Sequence, residues 1–126
     1  MDIVNRNEIK NDAYYYDKNS KIWQKINAFV GSSKKMYRIY KGQVRSLQNP
    51  NLCPTITASM NDEYNAVVLR DIKGIRRLTL RESLDFQGFP QDFHFPSTIS
   101  LSDAYRQIGN SVSVPVVRRI AEAIKQ

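Results

Sequence analysis

The apolar residues of this chain change their spacing twice, and no other feature constrains the fold as tightly. In "DKNSKIWQKINAFVG", Ile22, Trp23, Ile26, Phe29 and Val30 fall at helical spacing, with Asn19 or Ser20 as cap and Gly31 as stop. From Met36 to Arg77 the pattern becomes short β-like runs, "MYRIY", "TITAS", "AVVL" and "IRRL", separated by turn chemistry at "QNPN", "NDE" and "DIKG". Helical signals then return. Thr79 and Glu82 make a T-x-x-E capping box at the head of "TLRESLDFQG", a helix that should end near Gly88 because Pro90 cannot continue it. Ser100 and Asp103 suggest a second, shorter turn of helix. Val116, Val117, Ile120, Ala121 and Ile124 form a closing apolar stripe, and Pro115 fits the first turn of that helix. The predicted class is α+β: a flexible lead-in over 1–13, a small β-rich region with its leading helix over 14–78, and C-terminal helices over 79–126.

A chain of 126 residues holds one domain or a piece of a larger one. No apolar run approaches the roughly 20 residues of a spanning helix, so no membrane association is expected. The single cysteine, Cys53, excludes an internal disulfide and fits a reducing cytoplasm. The net charge of +7 is concentrated rather than spread. Between Gly31 and Arg81, ten Lys or Arg, among them Lys34, Arg45, Arg76 and Arg77, face only Asp62, Glu63 and Asp71. The remaining residues balance. A polyanion-binding face would have this distribution, and so would a basic surface kept for solubility.

Two dense segments of the last third carry the chemistry. In "YRQIGNSVSVPV", Gly109, Asn110 and Ser111 can turn the chain tightly and present backbone N–H groups and short polar side chains to a ligand. The ordinary alternative is a helix-start turn with Ser111 or Ser113 as N-cap. Tyr105, Gln107, Gly109, Asn110, Ser111 and Val112 match without a gap the terminal motif of the DNA (cytosine-5) methyltransferases, and "RRLTLRESLDFQGFPQDF" resembles that family's penultimate motif. The resemblance is close over residues 36–126 and loose over 14–35, where "AYYYDKNSKIWQKI" is similar to a tyrosine-rich stretch of some members.

The resemblance implies a part of a larger methyltransferase fold, comprising the target-recognition region and the C-terminal helices. It implies S-adenosylmethionine contacts from Asn110 and Ser111 and a DNA-backbone contact from Arg81; Arg45, Arg76 and Arg77, in the basic middle of the chain, are the further candidates for DNA contacts. Thr55 and Ile56 match the Thr-aliphatic pair that holds backbone near a flipped nucleotide, and Tyr14, Tyr15 and Tyr16 are candidates to stack on DNA or to form a half-buried aromatic patch. Asp85 stands where members commonly carry a basic residue, which turns this helix face away from phosphate and toward a positive partner surface.

In that family a thiolate that follows proline attacks C6 of a flipped-out cytosine, the methyl group goes to C5, and elimination frees the enzyme. This chain has no Pro-Cys dipeptide and no glycine-rich loop for the methyl donor. Cys53 precedes Pro54 instead and reads as a packed thiol, so no catalytic residue is assigned. His94 lacks neighbouring ligands, so no metal site is expected; it should pack between Phe93 and Phe95. The expected function is the DNA-recognition and C-terminal portion, or small subunit, of such an enzyme. It would act on double-stranded DNA with a catalytic large subunit or N-terminal domain supplied from outside this sequence, and alone it would be inactive. The alternative is a catalytically inert, stand-alone DNA-binding or regulatory module; an unrelated basic α+β domain is a third reading. The last helix separates the first two. A stand-alone module covers Val116, Ile120 and Ile124 within its own core, whereas a methyltransferase part leaves them for a partner or for self-association.

Overall fold

The computed structural model describes residues 3–31, 35–46 and 53–125. Lys34 of the basic stretch and the "QNPN" turn lie outside these residues. The architecture mixes helix and sheet, in keeping with α+β. Four α-helices, α1 (Lys21–Ile26), α2 (Leu80–Phe86), α3 (Leu101–Gly109) and α4 (Val114–Lys125), accompany strands β1 (Tyr37–Tyr40), β2 (Gln43–Ser46), β3 (Val67–Arg70) and β4 (Ile75–Arg77). The strands form one antiparallel sheet in the order β2-β1-β3-β4.

Each face of this sheet has its own core. Tyr37, Ile39, Val68 and Ile75 point to one face and bury against Ile22 and Ile26 of α1, with Tyr16, Val30 and Ala66 completing the cluster. Val67 and Leu69, alternating to the other face, pack with Met36, Met60, Leu78 and Tyr105. The second cluster reaches α3 through Tyr105, whose hydroxyl donates to the Leu78 carbonyl.

Local signals place most helix starts. Ser20 caps α1, its side chain accepting from Trp23 N–H, and Thr79 and Glu82 form the reciprocal capping box of α2. Helix α1 stops at Ile26 rather than at Gly31, because Arg70 donates to the Asn27 and Val30 carbonyls and satisfies the groups a longer helix would have used. Phe29 consequently leaves the helical stripe and is 66% exposed. Helix α3, capped by Ser100, runs nine residues, longer than the short turn expected.

Two strand expectations change. "TITAS" is not a strand: residues 53–57 run irregularly along the second core and enter a turn at Ala58. Strand β2 lies where no run was expected, since "QVRS" offers only Val44 as an apolar residue. Its register is set by the two-residue turn at Lys41 (φ 49°) and Gly42 (φ 79°), both left-handed as a type I′ hairpin requires. The N-terminal stretch expected as a lead-in lies along the sheet. Arg6 donates to the Lys35 carbonyl (2.7 Å), and its own carbonyl accepts from Ile72 N–H (3.1 Å).

Candidate functional site

Three segments far apart in sequence meet in an open cleft of about 390 Å³. One wall is Cys53, Pro54, Thr55 and Ile56; the second is Phe86 and Gln87 at the end of α2; the third is Gly109, Ser111 and Ser113 at the α3–α4 turn. The walls are locked together by backbone contact. A Cβ on Gly109 would lie 2.1 Å from Ala58 N and 2.2 Å from the Thr57 carbonyl carbon, so only glycine allows the α3 terminus to cross the 57–58 backbone here. Gly88, at φ 79°, presses against the Pro115 ring, where a Cβ would lie 2.4 Å from Cδ. Val114 N–H donates to the Gln87 carbonyl (2.9 Å), which ties the start of α4 to the end of α2. The glycine of the terminal segment is thus a site of close crossing, which its spacing alone did not reveal.

The structure brings Thr55, Ile56 and Ser111 into this one cleft. Ser111 is half-buried and lines the cleft; its hydroxyl donates to the Ile108 carbonyl (2.6 Å), so its oxygen keeps its capacity to accept. Asn110 is the C-cap of α3 and is exposed beside the cleft, outside its lining. Gln87 and Ser113 join the polar rim, although sequence reasoning gave them no ligand role. Their membership follows from the Gly88–Pro115 contact, a pairing between two separate motifs. Cys53 also lines the cleft. Burial, with the Glu82 charge as a smaller cause, pushes its thiol up to about 12, so it stays protonated at neutral pH and is a poor nucleophile.

The arginines divide sharply. Arg76 is fully buried, pairing with Asp71 (2.8 Å) and with Glu82 through both of its terminal nitrogens (2.7 and 3.1 Å). Arg77 is buried too, and donates to the carbonyls of Asn61 and Ala13 and to the Asn61 side chain. Neither guanidinium faces solvent, so the expected DNA contacts from these two residues give way to internal roles. Alternation along β4 does not expose one of them, because both faces of the sheet are covered at this strand. Arg81 is partly exposed but engaged. It pairs with Asp85 (3.0 Å) and donates to the Phe93 (2.7 Å), Pro90 (3.3 Å) and Gln91 (3.4 Å) carbonyls, so it staples the loop after α2. Asp85, expected to meet a positive partner surface, finds its positive group in Arg81 of its own helix and also accepts from Gln91. Arg45 is exposed on β2.

The aromatic expectations resolve toward structure. Tyr16 is buried and donates to the Glu63 carbonyl; Tyr15 donates to Asp71 (2.7 Å) and lies under the Lys73 ammonium; Tyr14 packs against the second core. Burial alone would raise the Asp71 carboxyl, but hydrogen bonds from Tyr15, Lys73 N–H, Arg76 and Gly74 N–H outweigh it and hold the group below its ordinary value. His94 is exposed and does not pack between its neighbours, because Phe93 meets Phe95 directly, edge to face at 5.7 Å. Among the described residues no group of three or more His, Cys, Asp or Glu could hold a metal ion. No helix among them is long and apolar enough to cross a membrane.

The chain belongs to the C-5 cytosine-specific DNA methylase family, whose model matches residues 2–126. It is 37% identical over 125 residues to the Type II methyltransferase M.Bsp6I of Bacillus sp. (strain RFL6), the alignment taking 98% of this chain and 39% of that protein. It is 55% identical over 51 residues to the Type II methyltransferase M.MspI of Moraxella sp, covering 40% of this chain and 12% of that protein. It is also 51% identical over 49 residues to the DNA (cytosine-5)-methyltransferase CMT2 of Oryza sativa subsp. japonica, covering 39% of this chain and 4% of that protein. The chain therefore spans about two fifths of M.Bsp6I and smaller shares of the other two. No solved structure matches it.

Proposed function

We propose that this chain is the DNA-recognition and C-terminal portion, or the small subunit, of a DNA (cytosine-5) methyltransferase of restriction-modification type. The enzyme would transfer methyl from S-adenosylmethionine to C5 of cytosine in a specific duplex site. The large portion brings the Pro-Cys nucleophile and most of the donor pocket. This portion brings the phosphate and base contacts and closes one wall of the donor site. The observation that carries the reading is α4, a twelve-residue amphipathic helix with no buried residue. Among the described residues nothing buries its apolar stripe, as expected where a catalytic domain is to be covered and not where a stand-alone module has completed its own core.

The cleft suits a nucleoside at its edge: Ser111, Ser113 and Gln87 line it with hydroxyl and amide groups, and Ile56, Pro54 and Phe86 with apolar surface. Asn110 and Ser111 are the residues assigned to S-adenosylmethionine, which supplies the methyl group. Thr55 and Ile56, across the same cleft, are assigned to the backbone wall beside the flipped cytosine, with Arg45 as a DNA contact.

The test is methyl transfer from labelled S-adenosylmethionine into duplex DNA, by this chain alone and together with the larger chain or segment that bears the nucleophile. Transfer should require both. Transfer by this chain alone, or none by the combination, overturns the reading. Within the combination, Asn110→Ala with Ser111→Ala should raise the S-adenosylmethionine KM while the affinity of this chain for DNA stays nearly unchanged. Equal loss of both would remove the assignment of these residues to the methyl donor.

A further inference from the structure

The second core covers β3 and β4 only, and what it leaves bare is chemically distinctive. On β1 and β2 the side chains that share a face with Val67 are Arg38 and Tyr40 and their cross-strand partners Arg45 and Gln43, paired Arg38↔Arg45 and Tyr40↔Gln43. Tyr40, Gln43 and Arg45 are exposed and Arg38 is half-exposed. Two like charges directly opposite each other destabilise a strand pair, and among the described residues no carboxylate pairs with Arg38, Arg45 or Lys41 to offset this. Two cations lie over the Tyr40 ring, the Arg38 guanidinium 5.8 Å and the Lys41 ammonium 5.3 Å from its centre. Beneath the tip, Gly42 N–H donates to the Tyr64 carbonyl (3.0 Å) and Lys41 N–H to the Asn65 side chain (3.1 Å), so the turn is anchored to the 62–65 loop.

We infer that the β1–β2 hairpin is the base-reading element of this chain: it enters the major groove of duplex DNA, and Arg38 and Arg45 recognise guanine. This rests on the DNA-recognition reading above. The occupant follows from charge and shape. An uncompensated cationic face asks for a polyanion, and a two-stranded ribbon fits a major groove about 12 Å wide. A guanidinium fork matches guanine O6 and N7, so two arginines side by side across the ribbon read two guanines. Gln43, whose side-chain oxygen accepts from the Arg45 guanidinium (3.3 Å), can exchange that contact for adenine, and Tyr40 supplies an amphipathic surface beside the cations. The anchored turn holds these groups in place before DNA arrives, which lowers the ordering cost of recognition.

The experiment is selection by the full 126-residue chain from a duplex library with a randomised central window, followed by affinities of wild type and variants for selected and unselected duplexes across a salt series. Wild type should enrich guanine at fixed positions. Arg38→Gln with Arg45→Gln should lose that preference and bind the selected duplex roughly 5- to 150-fold more weakly for each guanine contact, with a smaller loss on unselected duplex. Arg45→Gln alone should lose one of the two positions, which keeps the assignment testable if the double variant unfolds. Equal weakening on both pools with a shallower salt slope would make the arginines phosphate contacts and overturn the base-reading role while DNA recognition by the chain stands. Selection of guanine that survives both substitutions overturns it in the same way. Failure of the wild-type chain to bind duplex DNA at low salt overturns both this assignment and the reading beneath it.

Discussion

Helices α3 and α4 are adjacent in sequence and similarly amphipathic, yet one is built into the fold and the other is not. Helix α3 buries Ala104, Tyr105 and Ile108, and its last residue is pressed onto the 57–58 backbone. Helix α4 buries nothing: Val116 is 56% exposed, Ile120 54% and Ile124 79%. The difference teaches that a 3.6-residue period specifies a face but not what covers it. In α3 the cover is supplied by the second core and the irregular 53–60 segment. In α4 nothing in the described chain supplies it, although the helix start is held to α2 through Val114 and Pro115.

The comparison is sharpened most by breaking what holds α2, and with it α3, to the sheet. The buried Arg76 links Asp71 after β3 to Glu82 in the capping box, and no part of this triad reaches α4. Glu82→Ala should cost about 3–5 kcal/mol in chemical denaturation, since it leaves a buried guanidinium short of a partner and removes half of the box. The same triad sets an acid limit. Asp71, whose folded pKa is lowered, contributes stability fully present above the unfolded carboxylate value near ~3.9, and this is lost as pH falls through its lower folded value. Asp71→Asn should flatten that limb of the stability-pH curve.

A somewhat smaller loss is expected at the crossing. Gly109→Ala forces the α3 terminus off Thr57 and Ala58 and should destabilise by about 1–3 kcal/mol. It should also open the cleft, since Cys53–Ile56 and the Ser111 turn are held at their spacing by this contact. Faster alkylation of Cys53 in the variant would report that opening, and an unchanged rate would show that the cleft walls are held by something else. Removing the α3 cap by Ser100→Ala should cost less again, about 1 kcal/mol, without altering the Cys53 rate.

How much of this was legible in the sequence follows the range of the interactions. The Thr79–Glu82 box, the Ser20 cap and the α4 stripe are local, and each is where its spacing placed it, whereas the first stripe loses Phe29 because α1 stops at Ile26. Strand β2 was missed because Val44 alone gave no period, although a Lys-Gly pair between "RIY" and "QV" is the hairpin signal that could have found it. The roles of Arg76 and Arg77 were not legible, because a charge count treats every cation as exposed. Only tertiary partners turn these two inward: Asp71 and Glu82 for Arg76, and the backbone at Ala13, Met60 and Asn61 for Arg77. For the same reason the basic middle of the chain is a smaller surface than its composition suggests: Arg70, Arg76 and Arg77 are spent inside the fold, and Arg38, Lys41 and Arg45 remain outside on one hairpin. The cleft was half legible. Ser111, Thr55 and Ile56, which line it, were named from motifs; Asn110, named with them, lies outside the lining, whereas Gln87 and Ser113 enter through the packing of Gly88 on Pro115.

The smallest effect on this chain by itself is expected where the stripe is most conspicuous. Ile120→Ala removes an aliphatic side chain that is already more than half in water, so neither a cavity nor a lost contact follows within the chain. Its unfolding free energy should change by no more than ~0.5 kcal/mol, against about 2–5 kcal/mol for Ile108→Ala one helix earlier, where the side chain is 1% exposed. The two isoleucines are chemically identical, so the contrast isolates burial as the variable. If Ile120 faces a catalytic portion, its cost must reappear on association: the variant should bind that portion more weakly while melting alone like wild type. A large loss of stability in the isolated chain would instead mean that α4 folds back onto the rest of the molecule in solution. The distinction between α3 and α4, and with it the support for an enzyme completed from outside this sequence, would then be withdrawn.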